Sequence, residues 1–67
     1  MDIKKEFGNK IKSIRLEKHI SQEQLANNAE IDRTYISDIE KGERNVSLMI
    51  IQKLAKALDK EVFELFK

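Results

Sequence analysis

The sequence predicts an all-α fold of five short helices, and three features of the chain lead to this prediction. The 67 residues include no proline, only two glycines and 37% charged residues, a composition that favours helices over the turns of a sheet. The apolar residues fall into five short groups at helical spacing, separated by polar segments. Residues that commonly cap helices precede three of these groups. We therefore expect one compact domain that spans residues 1–67.

The first helix is predicted over residues 3–18. Its apolar residues step by four, four and three, which places them on one stripe of a helix. A residue in the left-handed conformation is expected at the end of the helix, near His19, because histidine tolerates that conformation better than most non-glycine residues. The stripe consists of Ile3, Phe7, Ile11 and Ile14.

Two short helices are expected to follow. Ser21 and Gln24 have the spacing of a capping box, which predicts a second helix over residues 22–29. Asp32 is a suitable N-cap for a third helix, predicted to run to about Lys41, where the following glycine supplies the stop.

Two further helices are predicted in the last third of the chain. Ser47 is expected to cap the fourth, whereas Glu61 is a poor cap for the fifth, predicted over residues 62–66. The inward stripe of the fourth helix is predicted to consist of Leu48, Ile51, Leu54, Ala55 and Leu58.

The pair of short helices predicts a helix-turn-helix over about residues 22–41. In this motif a turn of three to four residues joins two helices, whereas four-helix bundles use longer and more equal helices. Ala26 is small enough to let the two helices cross closely. Ile36 and Ile39 can pack beneath Leu25. The outward face of the third helix then carries Arg33, Thr34, Ser37 and Asp38, with Lys41 further on.

Composition excludes several classes of protein. The chain has no cysteine and a single histidine, so we expect no disulfide, no metal site, no cofactor and no catalytic centre. No segment reaches the ~20 apolar residues of a membrane span, and the N-terminus lacks the apolar region of a secretory signal. We therefore expect a cytoplasmic protein. The formal net charge is only +1, so charge alone does not predict a nucleic-acid partner.

The helix-turn-helix segment resembles a known family. The run Gln22-Glu-Gln-Leu-Ala-Asn-Asn-Ala, followed by Arg33-Thr-Tyr-Ile-Ser-Asp-Ile-Glu-Lys-Gly42, is similar to the Cro/CI-type (XRE) family of bacterial and phage regulators. Within that family, the segments around Arg33 and Arg44 are particularly similar to the controller proteins of restriction–modification systems. The resemblance extends from Phe7 to Phe66 and implies a lambda-repressor-like five-helix domain.

The resemblance implies a surface that binds double-stranded DNA. Gln22 is implied to hold a phosphate at the start of the second helix. Arg33 and Thr34 are implied to reach base edges in the major groove. Tyr35 either directs its hydroxyl to a phosphate or only packs on the edge of the core. The implied DNA-binding residues, for most of which ordinary solvation or capping is the alternative, are Gln22, Arg33, Thr34, Tyr35, Ser37, Lys41, Arg44 and Asn45.

The same resemblance implies a structural salt bridge between Arg15 and Glu40, while other positions depart from the family. Glu30 and Asp59 stand where glycine is frequent. We expect the turn at Glu30 to be adjusted, because a positive φ there would carry strain on the order of 1 kcal/mol. Asp38 stands where many relatives have an uncharged base-contacting residue such as glutamine. Its carboxylate would accept a hydrogen bond from cytosine N4 or pair with Arg33.

The fifth helix carries more apolar residues than one turn can bury. Four of the five residues 62–66 are apolar, and Met49 adds to the excess. A contiguous exposed apolar patch usually marks an interface. We therefore expect a two-fold dimer, with a well-wrapped small core as the alternative. The expected interface consists of Ile50, Val62, Phe63 and Phe66.

Together with the resemblance, these features predict a sequence-specific DNA-binding transcriptional regulator and not an enzyme. It is expected to act as a homodimer on a palindromic operator. The controller resemblance implies regulation of its own restriction–modification operon, and RNA polymerase is expected as a further partner. Because 67 residues leave no room for a ligand-sensing domain, we expect no small-molecule ligand. Two alternatives stay open: a phage-type or developmental repressor of the same fold, and a protein-interaction module without DNA binding. The latter would show apolar residues on the outward face of the third helix.

Overall fold

Four α-helices and a C-terminal 3₁₀ helix form the computed structural model, which describes residues 2–67. They are α1 (Ile3–Glu17), α2 (Gln22–Ala29), α3 (Arg33–Glu40), α4 (Leu48–Ala57) and the 3₁₀ helix Val62–Phe66. Within residues 2–67 there is no strand, and no helix is long and apolar enough to cross a membrane. The predicted all-α fold, with a helix-turn-helix formed by the second and third helices, is confirmed. The fifth element is a 3₁₀ helix.

Side chains cap the N-terminus of each α-helix. Ser21 Oγ accepts from the backbone N–H of Gln24 at 3.0 Å, and the Ser21 N–H donates back to Gln24 Oε1 at 2.8 Å. This reciprocal pair is the predicted capping box. Asp32 and Ser47 cap α3 and α4 as predicted, and Asp2 caps α1. The boundaries of the helices are therefore encoded locally in the sequence.

The α-helices all end in the same backbone motif, in which a residue with positive φ follows the helix. At the end of α2, the N–H groups of Glu30 and Ile31 donate to the carbonyl oxygens of Asn27 at 3.3 Å and Ala26 at 2.9 Å. This is a Schellman motif. The residues with positive φ are His19 (57°), Glu30 (58°), Asp59 (56°) and Gly42 (76°).

The left-handed conformation expected at His19 is confirmed, but the expectation that the turn at Glu30 would be adjusted is wrong. Glu30 itself adopts a φ of 58°. The motif requires this conformation, because it turns the chain so that Ile31 packs against the core. The packing of the partly buried Ile31 against the core and two backbone hydrogen bonds offset the strain at Glu30.

The core is a single cluster to which all five elements contribute. Its most buried large side chains, each 0% exposed, include one from every element: Ile11, Leu25, Ile36, Leu54 and Leu65. The cluster therefore joins the helix-turn-helix to the helices on either side of it.

Two residues assigned to inward stripes are exposed. Ile3 is 65% exposed and Leu48 is 84% exposed, so both assignments are wrong. Each is the first residue of its helix. Because side chains in a helix lean toward its N-terminus, a side chain at the first position projects beyond the packed part of the helix.

Gly8 lets α1 lie directly against the backbone at the end of α3. A Cβ at this position would overlap the carbonyl oxygen of Ile39. Any side chain at Gly8 would therefore push α3 away from α1. The helical periodicity of α1 gave no indication of this role.

Replacement of Glu30 by glycine is expected to stabilise the protein by about 1 kcal/mol, because glycine adopts positive φ without the Cβ clash. Glu23→Gly, which removes the same side chain from the first turn of α2, is the matched control and is expected to destabilise. Urea unfolding of both variants at one protein concentration makes the comparison. Destabilisation by both would contradict the account of Glu30.

Candidate nucleic-acid interface

The carboxylate of Glu40 joins three helices at the base of the helix-turn-helix. Glu40 is the last residue of α3, and its side chain is only 4% exposed. Its Oε2 accepts from Arg15 Nε at 2.7 Å, and its Oε1 accepts from Arg15 Nη2 at 3.0 Å and from Gln22 Nε2 at 3.1 Å. Arg15 Nη1 donates to the carbonyl oxygen of Ile20 at 2.9 Å. We refer to Arg15, Glu40 and Gln22 as the Glu40 network.

Within this network the Arg15 guanidinium stays charged. The hydrogen bond to Glu40 raises the pKa of Arg15 above its ordinary value, and the attraction of the carboxylate acts in the same direction. Burial lowers this pKa, but by less. A raised pKa adds stability at every pH below the pKa of unfolded arginine, and that stability is lost only as the pH rises through the folded value. The contribution of Arg15 is therefore constant across neutral pH.

Gln22 turns its side-chain amide inward to Glu40 and is half-buried. One hydrogen of the amide is used in that bond, which leaves the second hydrogen and the amide oxygen for other partners. The backbone N–H groups in the first turn of α2 also lack acceptors within the helix. A phosphate at this position would accept hydrogen bonds from the second amide hydrogen of Gln22 and from the backbone N–H groups of Gln22 and Glu23, since Ser21 already caps the N–H of Gln24.

The outward face of α3 is polar. Ile36 and Ile39 are 0% and 1% exposed and fix which side of α3 faces the core. On the other side, Arg33 and Thr34 are exposed and Ser37 is half-buried. Beyond the end of α3, the exposed residues are Lys41, Arg44 and Asn45.

Asp38, Arg44 and Tyr35 form a cluster at the end of α3. Arg44 Nε donates to Asp38 Oδ2 at 3.3 Å, and the guanidinium carbon of Arg44 lies 4.5 Å from the centre of the Tyr35 ring. Asp38 thus pairs with Arg44 and not with Arg33. No local pattern in the sequence indicates this cluster, because Gly42 reverses the chain and brings together residues six positions apart.

The C-terminal 3₁₀ helix leaves an apolar patch on the surface. Val62 is 43% exposed, Phe63 is 61% and Phe66 is 51%. The centre of the Phe66 ring also lies 5.2 Å from the centre of the buried Phe7 ring, so Phe66 contributes to both the core and the surface. Ile50 is half-buried and packs against the core. We call the exposed set Val62, Phe63 and Phe66 the C-terminal patch.

Comparison with known proteins gives one family and several close relatives. The family model described as helix-turn-helix matches residues 11–65. The control protein C.MunI of a Mycoplasma species is 50% identical over 66 residues, which are 97% of this chain and 89% of that protein. The control protein C.BamHI of Bacillus amyloliquefaciens is 58% identical over 53 residues, 78% of this chain and 65% of that protein.

A solved structure is similarly close. The restriction-modification controller protein C.AhdI of Aeromonas hydrophila superimposes with a TM-score of 0.92 at 48% identity, covering 94% of this chain and 96% of that one. The resemblance to the Cro/CI-type family, and to controller proteins within it, is confirmed. Because these relatives are control proteins and not enzymes, the expectation that this chain is not an enzyme is also confirmed.

The Glu40 network yields a prediction about stability. Glu40→Ala is expected to destabilise the protein by about 3–5 kcal/mol, because it leaves the buried Arg15 guanidinium without its counter-charge. Arg15→Met/Glu40→Leu removes both charges and is expected to recover most of that loss. Urea unfolding at one protein concentration measures both. A cost below about 1 kcal/mol for Glu40→Ala, the range of an exposed pair, would contradict this account.

Proposed function

We propose that this chain, which belongs to the helix-turn-helix family, is a transcriptional regulator that binds double-stranded DNA as restriction–modification controller proteins do. The observation that carries the proposal is the polar outward face of α3, which buried residues on the opposite side hold in place. A protein-interaction module of the same fold would show apolar residues on that face. The control-protein relatives support the same function.

In this proposal α3 enters the major groove with its first turn against the bases. The guanidinium of Arg33 can donate two hydrogen bonds to guanine O6 and N7, the commonest specific contact in protein–DNA complexes. Thr34 can contact a thymine methyl group or a polar base edge. Ser37 lies one turn further along α3, within reach of a base or a phosphate.

The remaining polar residues around α3 hold the DNA backbone. Lys41 and Arg44 supply positive charge next to phosphates, and Asn45 supplies hydrogen bonds. Gln22 holds a phosphate on the opposite side of the groove, through its free amide hydrogen and the N–H groups at the start of α2. Tyr35 directs its hydroxyl to a phosphate while its ring stacks on Arg44.

The protein acts as a homodimer whose interface is the C-terminal patch together with Ile50. Exposed aromatic side chains of this kind are costly in water, and a second copy would cover them. A two-fold axis through the interface would place two α3 helices about 34 Å apart, one turn of DNA. The operator would accordingly be palindromic.

As a controller protein, the chain would act on genomic DNA in the bacterial cytoplasm. There it would regulate its own operon together with a neighbouring endonuclease gene, and RNA polymerase would be the partner through which promoter output changes. With no small-molecule ligand, the occupancy of the operator depends on protein concentration and dimer affinity.

Base reading is tested by a fluorescence-anisotropy titration against the DNA upstream of the protein's own gene and a scrambled duplex. We expect the upstream DNA to bind at least about 10³-fold more tightly. Arg33→Ala is expected to remove most of that preference, because each of the two half-sites bound by the dimer loses a bidentate contact of about 1–3 kcal/mol. Lys56→Ala, which removes the same charge from the exposed face of α4, is the control and is expected to keep the preference.

Two results would contradict this proposal. Equal and strongly salt-dependent binding to both duplexes by the wild type would indicate attraction to the backbone alone. No binding to either duplex would favour the protein-interaction module.

Dimerisation is tested by analytical ultracentrifugation at tens of micromolar. The wild type is expected to sediment as a dimer and Phe63→Glu as a folded monomer, because the substitution places a carboxylate in the C-terminal patch. Leu16→Glu makes an equivalent change at an exposed residue of α1 outside the patch and is expected to remain dimeric. A monomeric wild type would contradict the dimer.

A further inference from the structure

Asp38 places a negative charge on the side of α3 that the proposed function turns toward phosphates. Its side chain is 26% exposed, so the carboxylate is only partly shielded by the protein. An unpaired carboxylate at this position would repel DNA. Its contacts therefore decide whether Asp38 weakens DNA binding or contributes to it.

Asp38 holds the loop after α3 at two points. Its backbone carbonyl oxygen accepts from the N–H of Glu43 at 3.0 Å, which closes the Schellman motif at Gly42. Its carboxylate accepts from Arg44 Nε at 3.3 Å. The backbone bond fixes where the loop leaves the helix, and the side-chain bond fixes where Arg44 lies.

The Arg44 guanidinium is held on one edge and one face, and the rest is open. Asp38 binds its Nε, and the Tyr35 ring lies 4.5 Å from its Cζ atom. Neither Nη group donates to any residue in the described part of the chain, 2–67, and the side chain is 47% exposed. The two Nη groups are the part of arginine that binds phosphate or a base edge bidentately.

From this geometry we propose that Asp38 is a positioning residue for DNA recognition, which together with Tyr35 holds Arg44 so that its Nη groups meet the DNA. This inference rests on the proposed function. A side chain already held in its bound position loses less conformational entropy on binding. The charge of Asp38 is balanced by Arg44, so it does not act as a free repulsive group.

A pre-positioned Arg44 favours the specific complex over general attraction to DNA. Loose binding through counterion release needs positive charge but no fixed geometry. A contact at one defined phosphate or base needs both. Loss of Asp38 is therefore expected to reduce binding to the preferred duplex and to leave binding to an arbitrary duplex almost unchanged.

A double-mutant cycle tests this proposal on two DNA probes. One is a duplex that the wild-type protein selects from a random library, and the other is a scrambled duplex of the same composition. Asp38→Ala is expected to weaken binding to the selected duplex by about three- to tenfold, through its coupling to Arg44. In the Arg44→Ala background, where Asp38 has lost its partner and repels phosphates, the same substitution is expected to cause no loss and to tighten binding slightly.

Two other outcomes would overturn it. If Asp38 acts only by repelling phosphates, Asp38→Ala will tighten binding to both duplexes, with or without Arg44. If Asp38 reads a base itself, its removal will weaken binding to the selected duplex equally in the Arg44→Ala background. A wild type that selects no duplex would instead refute the proposed function, and this inference with it.

An NMR measurement without DNA tests the positioning separately. Tyr35 is the only tyrosine, and its ring is expected to shift the Arg44 side-chain protons upfield while the stack persists. Asp38→Ala is expected to reduce that shift. Glu43→Ala removes a neighbouring exposed carboxylate and is expected to leave it unchanged. An unchanged shift in Asp38→Ala would show that Asp38 does not position Arg44.

Discussion

The buried carboxylate of Glu40 constrains the rest of this structure. A carboxylate with 4% exposure is costly unless its oxygens are paired. Here donors come from α1 and from the first residue of α2, while Glu40 itself ends α3. Satisfying one side chain therefore fixes the positions of three helices relative to one another. The outward face of α3 takes its orientation from this arrangement.

Close packing restricts the same helices. Gly8 lets α1 approach the backbone of α3, and Ala26, a small residue of α2, is buried at 2% exposure. The left-handed conformation of Glu30 turns the chain between them. The domain is small, yet a core, a buried ion pair and a tight turn together hold the polar outward face of α3 in position. Most of the residues that carry the proposed function need only be exposed and held on the outward face of α3 or just beyond its end.

Local signals in the sequence were enough to predict most of the fold. Capping residues such as Ser21 and Asp32 mark the helix starts, because their bonds involve neighbours in the chain. Periodicity failed at Ile3 and Leu48, since a stripe does not show where packing stops. It also gave no account of Gly8, whose role depends on a backbone atom far along the chain.

The candidate site was also predictable only where local patterns determine it. The exposed residues of α3 follow from knowing which side of the helix is apolar. The partner of Asp38 does not, because it depends on how the loop after Gly42 returns, which no local pattern encodes. Glu30 shows the same limit: the residue type indicates the cost of a positive φ, but the packing of Ile31 against the core that offsets this cost is a tertiary contact.

The most direct test of this account is methylation interference on the selected duplex, which probes guanine N7 in the major groove. If α3 reads the DNA as proposed, methylation interferes with binding at guanines in two half-sites about 10 base pairs apart. Arg33→Ala then becomes insensitive to methylation at one symmetric pair of these guanines. If methylation in the major groove has no effect, or if Arg33→Ala keeps the wild-type pattern, α3 does not read the DNA through Arg33 and the central claim is wrong.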